Sequence, residues 1–343
     1  MLARDQVLVV GDEAITAGTR CCVDVPVVSL YHAPLSMPVQ VVRGRRSGPV
    51  LFVSAALHGD ELNGVEIIRR LLRMKALKEL RGCLLAVPIV NVQGFLMQSR
   101  YLPDRRDLNR SFPGSEKGSL ASRLAHVFLH EVVERSDYGI DLHTGGLHRP
   151  NLPQIRGDLE HPDVLRMARA FGVPLILNSS PRPGSLREYT SEHQIPALLY
   201  ESGEALRFDE LAIRTGVRGV MAVMRELGML PARAKARKPA EVVVAHSSSW
   251  IRAPASGILR TQVRLGERVR PGQELAWVSD PFVSAEVPVV STEDGVVIGR
   301  THLPPVNEGD ALFHIAHVDE PRATAALVKQ FRAESQASVL TPR

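Results

Sequence analysis

The sequence predicts an α/β domain built on a mixed sheet, followed by a small all-β module. Three observations carry this. Short apolar runs of strand length alternate with stretches of helical period from about residue 50 to 200. Three of the apolar runs end directly on an ionisable residue, His58, His143 or Glu201. Beyond residue 231 the helical period disappears until residue 320, and Val, Ile, Gly and Pro dominate. Strands alternating with helices imply a sheet with helical layers, and open α/β sheets carry their chemistry at the carboxyl ends of the strands.

In chain order, 50–57 (Val-Leu-Phe-Val-Ser-Ala-Ala-Leu) is a continuous apolar run ending at His58-Gly59, the pattern of a strand buried on both faces. Residues 64–80 place Val65, Ile68, Leu71, Leu72 and Leu77 at helical spacing, and 83–90 is a second buried strand. The segment 91–118 is crowded with Asn, Gly, Pro, Asp and Arg and reads as a long loop. Long loops in compact domains are usually functional. A helix is expected at 120–133 and a strand at 138–142 ending in His143; Ala197-Leu198-Leu199-Tyr200 is the strand that leads to Glu201. A charged linker bracketed by prolines, 231–240, sets the division: a catalytic domain over 1–235, a β module over 236–320 and a polar tail with at most one short helix over 321–343. Inside the β module, Ser256-Gly257-Ile258-Leu259 leading to Pro271-Gly272-Gln273-Glu274-Leu275 is echoed by Asp294-Gly295-Val296-Val297 leading to Glu308-Gly309-Asp310-Ala311-Leu312, a weak repeat that suggests a compact barrel or sandwich.

Bulk properties narrow the function classes. The apolar fraction of 44% is ample for a core. The net charge of +5 invites a nucleic-acid reading, but the basic residues are dispersed, with few aromatics beside them, and form no recognition module. Three cysteines, Cys21, Cys22 and Cys83, give no even disulfide framework, which fits a reducing compartment, and Cys21 and Cys22 are expected to be buried, inert thiols. No signal peptide and no membrane span are expected, so the protein is placed in the cytoplasm.

The chemistry lies in four blocks. His58-Gly59-Asp60-Glu61 offers an imidazole and a carboxylate at a strand-to-helix turn, and Asp141-Leu142-His143-Thr144 adds a second imidazole at another strand end. Zinc takes imidazole nitrogen and carboxylate oxygen, and a catalytic site keeps one position open. Asp60 is expected to cap the following helix. His126 and His130, four apart, lack the Glu directly after the first His that a zincin helix needs; with Arg123 and Glu134 they form a solvated helix face. The third block, Asp107-Leu108-Asn109-Arg110, follows Arg100 in the long loop and supplies groups that grip a carboxylate. The fourth, Tyr200-Glu201-Ser202-Gly203, puts a carboxyl group in an expected low-dielectric crevice. Such surroundings raise its pKa and suit it to take a proton from water.

Taken together in this order, the blocks resemble the succinylglutamate desuccinylase/aspartoacylase family, a branch of the zinc carboxypeptidase-like fold, over residues 15–203. The resemblance implies one Zn2+ per subunit on His58, Glu61 and His143, with Glu201 as general base and Arg100 stabilising the oxyanion. It further implies Asn109 and Arg110 on the substrate carboxylate and Asp107 orienting His58. Arg187, in Pro183-Gly184-Ser185-Leu186-Arg187, is a further substrate-binding candidate on a looser match. The implied activity is hydrolysis of a small N-acylated amino acid, with a zinc carboxypeptidase acting on peptides or a non-catalytic scaffold as the alternatives; a homo-oligomer is expected. The stretch 252–257 is similar to the opening of the β domain in the predicted-deacylase branch, which resembles biotinyl/lipoyl carrier domains. No lysine occurs from 239 to 320, so covalent biotin or lipoate is excluded there.

Overall fold

The computed structural model describes every residue except 1, 4–5, 32, 233–240, 283–284 and 338–343. Most of the expected linker, part of the turn that would carry a carrier lysine and the end of the tail therefore lie outside the described residues. A large mixed sheet organises the chain. Its centre runs Asn151–Gly157, Ala197–Glu204, Tyr138–Gly145, Arg46–Ala55, Arg81–Val87, Ala33–Arg43 and Arg20–Leu30, each bonded to the next. The strands Ala197–Glu204, Tyr138–Gly145, Arg46–Ala55 and Arg81–Val87 are mutually parallel. They therefore deliver their carboxyl ends to one edge.

Alternation along these strands builds two cores. One face sends Leu51, Val53, Leu142, Leu198 and Tyr200 against Ile67, Ile68 and Leu71, Met167 and Phe171, and Ile213 and Val220, from the helices Asn63–Leu72, Pro162–Phe171 and Glu210–Glu226. The other sends Val39, Val41, Phe52, Leu85 and Val87 against Leu124 and Phe128 of the helix Leu120–Phe128. Fully burying one such side chain contributes roughly 1.5–3 kcal/mol. The helix expected over 64–80 is shorter. Met74 turns out of the helical region at ψ 125°, and a short 3-10 turn, Lys75–Glu79, then buries Leu77. In the long loop, Asn91 caps the short helix Val92–Leu96 by accepting a hydrogen bond from the Gly94 N–H.

The β region is joined to the large sheet rather than hung beside it. Gly295–Arg300 bonds to Asn151–Gly157 through the pair Gly299 and Asn151, and Val243–Ala245 lies parallel to Leu175–Asn178. A four-stranded sheet, Glu286–Val290, Glu274–Ser279, Gly257–Thr261 and Pro305–Val306, packs against the strands Gly295–Arg300 and Ala311–His317 across a core that includes Leu259, Leu275, Val297 and Phe313. Two further expectations are corrected. Within the expected polar tail, 321–337 form one helix of 17 residues, longer than the single short helix expected; Val328 is buried among Leu152, Val296 and Ile298 and Arg332 donates to the Leu265 carbonyl. Cys22 is exposed, because its edge strand turns Val23 and Val25 inward instead; Cys83 is buried, and burial pushes its thiol up to about 12. Among the described residues, no helix is long and apolar enough to cross a membrane.

Candidate active site

The strand Arg46–Ala55 leaves the sheet through Ala56, whose φ of 49° turns the chain outward. This brings His58 over the sheet edge. Gly59 then packs on the neighbouring loop so closely that a Cβ would lie 2.0 Å from the Gly94 carbonyl carbon. Neither backbone can yield cheaply. Gly59→Ala is therefore expected to displace His58, with a stability loss of about 1–3 kcal/mol in urea unfolding.

His58, Glu61 and His143 converge. Each offers a ligand atom, and those atoms lie within 4.8 Å of one another, all three residues being buried. His58 Nδ1 is 2.7 Å from Glu61 Oε1 and His143 Nδ1 is 2.8 Å from Glu61 Oε2, while the Thr144 N–H donates to Oε2. The far nitrogens are held as well. His58 Nε2 lies 3.1 Å from Asp107 and His143 Nε2 lies 2.6 Å from Asp141, which in turn accepts from Ser54. Burial lowers the basicity of both imidazoles. The Glu61 charge, with Asp107 for His58 and Asp141 for His143, outweighs it and raises both pKa values. Burial likewise opposes ionisation of Glu61, but the two imidazoles hold its carboxyl well below the usual range. Two imidazoles and one carboxylate, each imidazole backed by a second carboxylate, fit a divalent cation such as zinc.

Asp60 is not a helix cap. The residue preceding the helix Asn63–Leu72 is Leu62, with no side-chain cap, because Asp60 is buried in the turn with Oδ1 unpartnered among the described residues. Arg100 donates twice to Asp107, at 3.2 and 2.9 Å, and its Nη1 reaches to 3.3 Å from His58 Nδ1. Asn109 is buried, its Oδ1 accepting from the Leu186 N–H, whereas Arg110 is exposed and folds back on the Asn109 carbonyl.

Glu201 stands beside His143, its register partner on the adjacent parallel strand. Neighbouring strands lie about 4.8 Å apart. In place of the expected low-dielectric crevice, the carboxylate meets polar and charged groups. Asn151 Nδ2 donates to Oε1 at 2.7 Å, and Arg156 Nε lies 3.1 Å from Oε2. Arg187 is near, and it is bound to the backbone carbonyls of Ser179 and Ser180; burial first, then the Arg156 charge, brings its guanidinium down to about 10.

Several groups about the site carried no signal in the sequence. Arg182 is exposed, close enough to Arg110 and Arg187 to affect both, and among the described residues its side chain has no partner. Asn151 and Arg156 act on Glu201 through strand pairing that local patterning does not reveal. Asp141, given no role by the sequence, did carry a usable signal, since an Asp two residues before a His on a strand shares its face. From the β region, His314 stacks on Trp250 at 4.4 Å and bonds Ser248, its Nδ1 buried and unpartnered among the described residues. Burial, then Arg156 and Arg182, depress its pKa to about 3. Between there and the ordinary 6.5 the unfolded chain binds a proton that the native imidazole refuses, so stability falls as pH drops below 6.5. The slope is ~1.4 kcal/mol per unit. Urea unfolding should show a loss between pH 7 and pH 5 that is about 2 kcal/mol smaller in His314→Gln than in the parent.

Comparisons agree with this architecture. The model of the succinylglutamate desuccinylase/aspartoacylase catalytic domain matches residues 47–227. The N-alpha-acetyl-L-2,4-diaminobutyric acid deacetylase of Halomonas elongata is 29% identical over 303 residues, 83% of this chain and 86% of that protein. The crystal structure of a succinylglutamate desuccinylase/aspartoacylase from Rhodobacter sphaeroides superposes with a TM-score of 0.77 at 25% identity, covering 87% of this chain and 94% of that one. The product-bound ectoine utilization protein EutE (DoeB) from Ruegeria pomeroyi shares the fold, with a TM-score of 0.79 at 21% identity over 92% of this chain and all of that one.

Proposed function

Because the chain belongs to the succinylglutamate desuccinylase/aspartoacylase family, we propose that it is a zinc-dependent deacylase that cleaves the amide bond of a small N-acyl amino acid. The observation that carries this reading is the convergence of the His58, Glu61 and His143 ligand atoms at strand ends beside Glu201. These three residues would hold one zinc ion per subunit. When bound, the ion supplies Lewis acidity, acidifying water and polarising the substrate carbonyl. On the same reading the β region is a barrel-sandwich of biotinyl/lipoyl type that serves the cleft and carries no prosthetic group.

Glu201 takes the proton of the attacking water and passes it to the leaving amine. Asn151 and Arg156 hold its carboxylate in place from two sides, so no reorientation is needed at the moment of transfer. Arg100, anchored by Asp107, turns Nη1 toward the ligand group and meets the charge that develops on the carbonyl oxygen. Arg110 grips the substrate carboxylate and fixes orientation before chemistry. Asn109 joins it through its amide NH2, since its carbonyl oxygen is engaged by Leu186. Arg182 and Arg187 add positive charge around the same space.

A hydrolysis screen of the zinc-loaded full chain tests this. N-acyl amino acids should release free amino acid, and unblocked dipeptides of matched size should react at least about 100-fold more slowly, as expected where a missing substrate contact leaves polar groups of the site unpaired. Preference for the peptides would favour a carboxypeptidase, and inactivity on both would overturn the reading.

A further inference from the structure

We propose that Gly299, in the β region, is a positioning residue for Glu201, acting through Asn151. The inference rests on the reading of Glu201 as the proton-transfer group. Gly299 is the register partner of Asn151 where the strand Gly295–Arg300 joins the large sheet, and beside it the Arg300 N–H donates to the Pro150 carbonyl. A Cβ built on Gly299 would lie 2.6 Å from Asn151 Oδ1. Asn151, itself buried, uses the other end of the same amide to donate to Glu201 Oε1 at 2.7 Å. The carboxamide is thus clamped between a bare backbone on one side and the carboxylate on the other. The β region supplies that bare surface, so it sets where the carboxylate sits although none of its own side chains bonds to Glu201 among the described residues.

The geometry separates this role from a structural one. The atom that an added methyl group meets first is the end of an Asn side chain, which can rotate away, and the next, His314 Cβ, is 3.3 Å off. Gly299→Ala should therefore fold, keep its zinc and move only the amide. A displacement of about 1 Å can cost up to 10²-fold in rate.

The test is a double-mutant cycle in the zinc-loaded full chain, with kcat, KM, zinc content and thermal midpoint read for each variant. Gly299→Ala should lower kcat about 10- to 100-fold with KM within about threefold and stoichiometric zinc. In an Asn151→Ala background, where the amide that the methyl group meets first is gone, Gly299→Ala should cost no further activity. Val297→Ala, which opens the core of the β region, should lower the midpoint and leave kcat within about twofold. Full activity of Gly299→Ala, or losses that multiply in the double variant, would overturn the proposal while leaving the deacylase reading intact. If Glu201→Gln itself retained full turnover, the reading on which it rests would fail instead.

Discussion

Glu201→Gln should retain stoichiometric zinc and lose about 10³-fold in kcat, within the range that a positioned acid–base group contributes. The substitution keeps the shape, removes the ability to accept and return a proton, and replaces one of the carboxylate oxygens that face Asn151 and Arg156 with an amide NH2. The metal set is built without Glu201, since Glu61 bridges both imidazoles and also accepts from the Thr144 backbone. Zinc content should therefore be unchanged, and KM should move little because Arg110, Asn109 and Arg187 are untouched. Steady-state kinetics beside metal analysis checks both halves; turnover within tenfold of the parent would remove the assigned role.

Removing one ligand should have the larger effect on the whole enzyme. His143→Ala leaves two donors from the single turn His58–Glu61, and both zinc occupancy and activity are expected to fall below detection at micromolar metal. Asp141→Asn and Asp107→Asn keep all three ligands but loosen one imidazole each, which should weaken zinc binding by about 10–100-fold. The pH dependence has a defined sign. The flanking carboxylates raise both imidazole pKa values, so zinc must displace protons to bind, and affinity should rise with pH through the neutral range. Chelation followed by zinc back-titration at several pH values measures it.

What could be read from the chain before the fold was known follows a physical division. His58, Glu61 and His143 were legible because each sits within four residues of the end of an apolar run, and strand ends are where α/β chemistry gathers. Asp107 and Arg100 were legible as part of a polar loop joining two such units. Asn151, Arg156 and Gly299 were not, because their relation to Glu201 is made by strand pairing across 45 to nearly 100 residues of sequence, which leaves no local pattern. The same limit explains the β region. Its internal repeat was visible, but the register that attaches Gly299 to Asn151 is a tertiary fact. Asp60 failed for the opposite reason. A residue type that favours caps was placed by the fold in a buried turn beside the ligands.

The central claim is tested most directly by zinc K-edge X-ray absorption on the metal-loaded full chain. The site described here predicts one zinc per chain bound by two imidazole nitrogens and carboxylate or water oxygen at about 2.0–2.2 Å. A sulfur shell at about 2.3 Å, or substoichiometric metal that survives His143→Ala unchanged, would contradict it.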